Sequence, residues 1–180
     1  MNLQNITLIS FGYFDNDFLQ NIAKNIQREL FIKVQIKEGH LDLSDYYDPA
    51  RRQYNANLLL KQIENNFASD SSKTIGLFNV DFFIPIFTYI FGQAYLGGRT
   101  GVVSVFRLSN ERYGIDSDEN LLLERSCKEI IHELGHTLGL IHCYVSDCVM
   151  RSGTYVEDID QKSSSLCHKC KNELLNSVNK

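Results

Sequence analysis

The segment His132-Glu133-Leu-Gly-His136-Thr-Leu-Gly139-Leu-Ile-His142 has the residue types and spacing to hold a metal ion and use it on water. His132 and His136 stand at i and i+4, so on a helix both imidazoles project from one face toward a common point. Glu133 follows the first histidine, where a carboxylate flanks a metal without ligating it and can take a proton from water as a general base. Gly139 comes one turn later, where the helix must stop if His142 is to swing back as a third ligand. Glycine tolerates the left-handed conformation that such a stop needs. Three protein nitrogens leave the fourth tetrahedral position open, which distinguishes a catalytic zinc from a closed structural one. A bare HExxH is weak, but the extended HExxHxxGxxH fixes five positions and is specific. Reading the histidines as ordinary surface residues and Gly139 as a simple cap leaves Glu133 and His142 as coincidences.

Four cysteines follow. Cys143 adjoins the last histidine, Cys148 follows after four intervening residues, and Cys167 and Cys170 form a CxxC pair after a polar loop. Two pairs at short spacing suit a closed tetrahedral zinc with four thiolate ligands; two disulfides and four free thiols are the alternatives. Disulfides need an oxidising compartment. The N-terminal Met1-Asn-Leu-Gln-Asn-Ile6 lacks a basic n-region, and no apolar h-region follows, so a cytoplasmic protein is expected. Met150 is either a core gap-filler or, eight residues after His142, the apolar floor beneath the metal.

The run HELGHTLGLIHCYVSDCVM followed by CHKC resembles the archaemetzincins, a branch of the metzincin zinc peptidases. Their pattern is HExxHxxGxxHC, four residues, CxM, a loop of about seventeen residues and CxxC, and only the loop Arg151–Leu166, one residue shorter, departs from it. Asp48-Pro-Ala-Arg-Arg-Gln-Tyr54 and Tyr95-Leu-Gly-Gly98 are also similar to the family. The resemblance implies a catalytic zinc on His132, His136 and His142, a structural zinc on Cys143, Cys148, Cys167 and Cys170, and Met150 as a Met-turn under the first. It also implies a substrate strand near Gln93–Gly97.

These residues need a scaffold. Ile6–Phe11, Phe31–Lys37 and Thr74–Val80 read as strands, while Phe18–Leu30 and Arg52–Asn65 have helical apolar spacing. That alternation predicts an α/β (α+β) fold: a metzincin-like catalytic domain with a mixed, mostly parallel twisted sheet and packed helices. Phe82–Phe91, broken by Pro85, is expected to be a packed loop or half-buried helix. Tyr95–Leu108, with its glycines, reads as a turn between two further strands. Asn120–Leu138 is the long active-site helix, capped by Asp116, Ser117 or Asp118. Beyond His142 no periodic segment is expected before Cys170–Leu175. The whole 1–180 is expected to form a single domain, with an N-terminal subdomain to about 139 and a short zinc-clamped C-terminal subdomain over 140–180.

Composition excludes other classes. With 43% hydrophobic and 22% charged residues the chain reads as soluble and globular, and the longest apolar stretch is too short to span a bilayer. A net charge of −4 with no basic run longer than Arg51-Arg52 argues against nucleic acid. Cys127 is expected to be a buried small hydrophobe, His40 to have no role, His168 to face solvent and Tyr155 to be a surface residue. The expected function is a zinc metallopeptidase with Glu133 as catalytic base and two zinc ions. Its partner is a peptide or protein substrate, with no nucleic acid and no membrane, and the chain is expected to act as a monomer. A zinc-stabilised peptide-binding module without hydrolysis is the alternative.

Overall fold

The computed structural model describes residues 5–178. In chain order it contains β1 (Asn5–Phe11), α1 (Asn16–Leu30), β2 (Val34–Gly39), β3 (Tyr47–Asp48), β4 (Gln53–Asn55), α2 (Ala56–Phe67) and β5 (Ser72–Phe78). There follow β6 (Phe82–Ile84), β7 (Phe87–Ile90), β8 (Gly92–Ala94), β9 (Thr100–Ser104), α3 (Glu119–Thr137), α4 (Val156–Gln161) and α5 (His168–Val178). The main sheet has the order β2-β1-β5-β9-β8. Its first four strands are parallel, and β8 is an antiparallel strand on the outer edge. This is the mixed, mostly parallel α/β architecture that the alternating elements predict.

The sheet is buried on both faces, so its central strands are near-continuous apolar runs. Ile6, Leu8, Ile75, Leu77 and Val103 face α1 and α3, while Ile9, Phe11, Phe78 and Val102 face α2. Alternation of side chains along each strand produces these two layers. The apolar residues of the C-terminal segment build no core of their own. Val149, Met150, Leu166 and Cys170 join the cluster formed by α1, α3 and the sheet.

Four expectations need correction. Phe82–Phe91 is neither loop nor helix: β6 and β7 form an antiparallel hairpin within a second sheet of order β3-β4-β6-β7. Pro85 sits in its turn, where a missing N–H and fixed φ are tolerated. The second strand starts at Val34 rather than Phe31, because Phe31 caps α1 in the left-handed region at φ 56 with its ring exposed. The second helix starts at Ala56, since Gln53–Asn55 are spent on β4 and the Asn55 side chain caps the helix, accepting from the N–H groups of Asn57 and Leu58. Finally, α4 is a helix in the segment where no periodicity is visible, and six residues are too few to show any.

Candidate active site and cysteine cluster

Asp118 is the residue that caps α3, its carboxylate accepting from the Leu121 N–H at 2.9 Å. The helix buries Cys127, Ile130, Ile131 and Leu134 in the main core, which fixes the opposite rotation of His132, Glu133 and His136. Its C-terminus closes with two bonds: Leu140 N–H to the Gly135 carbonyl and Gly139 N–H to the His136 carbonyl, both 2.9 Å. This pairing is the Schellman arrangement, with Gly139 at φ 93 supplying its left-handed residue. The predicted stop therefore has its physical cause in that glycine, and the chain turns back with His142 beside the other two histidines. Donor atoms of His132, His136 and His142 lie within 4.8 Å of one another.

The hydrogen bonds set the tautomers of two of these histidines. His132 Nδ1 and His136 Nδ1 each lie 2.8 Å from a backbone carbonyl, of Val149 and Leu140 respectively. A carbonyl only accepts, so both Nδ1 atoms carry the proton and both Nε2 atoms present lone pairs. Those Nε2 atoms stand 3.1 Å apart. Two facing acceptors at that distance repel unless a cation lies between them, so the contact is not a hydrogen bond. Burial holds all three histidines below the usual imidazole pKa, His132 furthest, and the Lys162 charge adds to the effect at each. Neutral imidazoles oriented by second hydrogen bonds are the form that ligates zinc.

Glu133 is buried, with Oε2 accepting no hydrogen bond from the protein. Burial first, and then the Glu129 charge, push its carboxyl well above the usual range, while Lys162 opposes them. Glu133 and the three histidines line one cavity of about 520 Å³, walled by Phe87–Ala94 on one side and Ser152–Thr154 on the other. The outer strand β8 forms part of that wall. It occupies Gly92–Ala94, so of the substrate strand sought near Gln93–Gly97 only the first two residues are strand; Tyr95–Gly97 belong to the following turn.

Two residues in this cavity carry no signal in the motif. Glu129 and Lys162 form a buried ion pair at 2.9 Å, and the Lys162 ammonium also donates to the Arg151 carbonyl at 3.2 Å. Glu129 stands one turn before Glu133 on α3, which the helical period could have revealed. Lys162 is brought in from far along the chain. Met150 is fully buried, its carbonyl accepting from the Cys143 N–H at 2.9 Å. Its thioether methyl fills the space that a side chain at Gly135 would need, 2.9 Å from that ideal Cβ, so it packs against α3 between the two histidines.

The Sγ atoms of Cys143, Cys148, Cys167 and Cys170 also lie within 4.8 Å of one another. The Cys143–Cys167 and Cys148–Cys170 sulfurs are each 3.8 Å apart. A disulfide requires about 2.05 Å. A tetrahedron with zinc–sulfur bonds of about 2.3 Å places its sulfurs about 3.8 Å apart. The donor set thus fits a zinc. Cys127 lies in the core as expected, its thiol pushed up to about 12 by burial. His168 and Tyr155 are exposed, and Tyr155 caps α4.

The profile of Peptidase family M54 matches residues 14–176. An archaemetzincin from Pyrococcus horikoshii is 39% identical over 163 residues, covering 87% of this chain and 85% of its own length. The chain belongs to the archaemetzincins, peptidase family M54. The crystal structure of the Methanopyrus kandleri archaemetzincin superposes with a TM-score of 0.83 at 31% identity, covering 98% of this chain and 97% of that one. A zinc-dependent peptidase from Methanocorpusculum labreanum gives 0.82 at 25% identity, with 94% and 100% covered. The chain is accordingly a zinc metallopeptidase, a hydrolase. Among its described residues no helix is long and apolar enough to cross a membrane.

Proposed function

We propose that this archaemetzincin hydrolyses peptide bonds with Glu133 as general base beside a zinc held by His132, His136 and His142. A second, structural zinc is assigned to Cys143, Cys148, Cys167 and Cys170, with Met150 as the apolar support under the first. The observation that carries the reading is the pair of Nε2 lone pairs facing each other at 3.1 Å, next to a buried carboxylate that lines the same cavity. A side chain turned out of the cavity would have suited a binder.

Zinc at the histidines supplies Lewis acidity toward the scissile carbonyl and makes water acidic near neutral pH. The chain's own residues do the rest. The carbonyls of Val149 and Leu140 hold the two imidazoles in their Nδ1–H tautomers. Glu133 takes the proton of the attacking water and returns it to the nitrogen of the broken C–N bond. A peptide lies extended along β8, whose outer edge has no strand partner among the described residues, and pairs with it by backbone hydrogen bonds. Four reduced thiols in one cluster fit the cytoplasm, the compartment proposed.

The test is cleavage of a diverse peptide mixture by wild type and Glu133→Gln, each with measured zinc, read by mass spectrometry. Cuts made only by wild type and abolished by chelation are expected. Equal cutting by a zinc-loaded Glu133→Gln protein would remove Glu133 from the mechanism.

A further inference from the structure

We propose that Gly92 is a positioning residue for Glu133: the outer strand of the sheet omits a side chain there so that the carboxylate can sit against its backbone. The inference rests on the reading of Glu133 as general base. An ideal Cβ on Gly92 would lie 2.8 Å from Glu133 Cγ and Oε1 and 3.0 Å from Cδ, and these are its three nearest neighbours. The backbone does not require glycine, because Gly92 is absent from the left-handed positions Gly12, Gly97, Gly114 and Gly139. Other close-packed glycines serve the core: Gly76 makes room for Phe78 and Ile63, and Gly101 for Ile75 and Ala94. At Gly92 the space is taken by a reactive group.

The location sharpens the point. Gly92 pairs with Val103 across β8 and β9, so the backbone touching the base belongs to the strand proposed to align the peptide. One glycine therefore sets the distance between the carboxylate and the strand that fixes the substrate. A methyl group at this position would first meet the Glu133 side chain, along Cγ, Cδ and Oε1. Folding would tolerate it, while the carboxylate would move by about an ångström, a displacement able to cost on the order of 100-fold in rate.

The experiment is Gly92→Ala in the zinc-loaded enzyme, with Glu133→Gln and the double variant in parallel. The single variant should keep its zinc content, and its Tm should hold or rise slightly, since alanine is favoured over glycine within a strand by about 0.5–1 kcal/mol. Its kcat should fall on the order of 100-fold with KM changed less than about threefold. In the Glu133→Gln background the same methyl should lower the residual rate by less than about threefold, because the group it displaces no longer acts as a base. A Gly92→Ala enzyme with wild-type kcat, beside an inactive Glu133→Gln, would overturn this inference alone. An active Glu133→Gln would overturn the general-base reading itself. Loss of zinc or a Tm several degrees lower in Gly92→Ala would also refute the proposal, because the methyl would then disturb more than the carboxylate.

Discussion

The histidine and cysteine clusters share a stretch of chain, with His142 and Cys143 adjacent, yet they are built in opposite ways. The histidine cluster has three donors, one on an exposed residue, and borders a cavity that also contains a carboxylate. The cysteine cluster has four donors, three on buried residues, and merges with the main apolar core. A three-donor site open to a cavity leaves room for substrate, whereas a four-thiolate site is complete in itself. In the proposed reading the second holds the first. Cys143 and Cys148 lie between His142 and Met150, and Cys167 and Cys170 return to them from beyond the following loop.

The contrast fails most visibly if the wrong site governs stability. Cys148→Ser should lose one zinc and lower Tm by about 10 °C or more, since the energy of structural zinc binding is folding energy. His136→Ala should abolish turnover and lose the other zinc with less than half that fall in Tm. Equal thermal losses in paired melts would erase the distinction. Next in size is Lys162→Met. It leaves the buried Glu129 carboxylate, 7% exposed, without its cation, a change that typically costs about 3–5 kcal/mol. Denaturant unfolding should show that loss, and the double variant Lys162→Met/Glu129→Leu should recover much of it. No recovery would mean that Lys162 acts elsewhere.

pH sharpens the comparison from the histidine side. The folded pKa values of His132, His136 and His142 lie below the ordinary imidazole value of about 6.5. The unfolded chain therefore binds these protons more tightly. The stability associated with neutral imidazoles is fully present above about pH 6.5 and is lost as pH falls through it toward the folded values. Glu133, with its raised folded pKa, contributes the opposite slope, so the measurement belongs in Glu133→Gln protein stripped of zinc at the histidines alone. Its Tm should fall with acid below that point; a flat profile would contradict the neutral, preformed cluster. The smallest effect is expected for Gly139→Ala. At φ 93 a side chain is strained by about 1–2 kcal/mol, lowering Tm by about 2–8 °C and loosening His142. An unchanged Tm would mean that this turn is not fixed by the Schellman closure.

Local signals made much of this legible. The spacing of His132, Glu133, His136, Gly139 and His142 indicates a helix, its stop and a returning histidine, and the cysteine spacing suits a closed site, with disulfides and free thiols left open by spacing alone. The strands Ile6–Phe11 and Thr74–Val80 stood out because buried parallel strands are continuous apolar runs. Three things were hidden, each for a physical reason. The Phe82–Phe91 run is apolar throughout, so period alone separates hairpin, helix and loop poorly. The strand Gln53–Asn55 is shorter than any period and forms only because β3 and β6 flank it. The Glu129–Lys162 pair and the Gly92–Glu133 contact are long-range, and one-dimensional spacing carries no trace of them.

The most direct test of the two-site account is zinc release followed by native mass spectrometry, with turnover and Tm read on the same samples. Two bound zinc ions are expected. A mild chelator should remove one, with turnover falling in proportion and Tm changing little, while the second should leave only as the protein unfolds. A chain that never holds more than one zinc, loses both together, or still cuts peptides after the first has gone would contradict it.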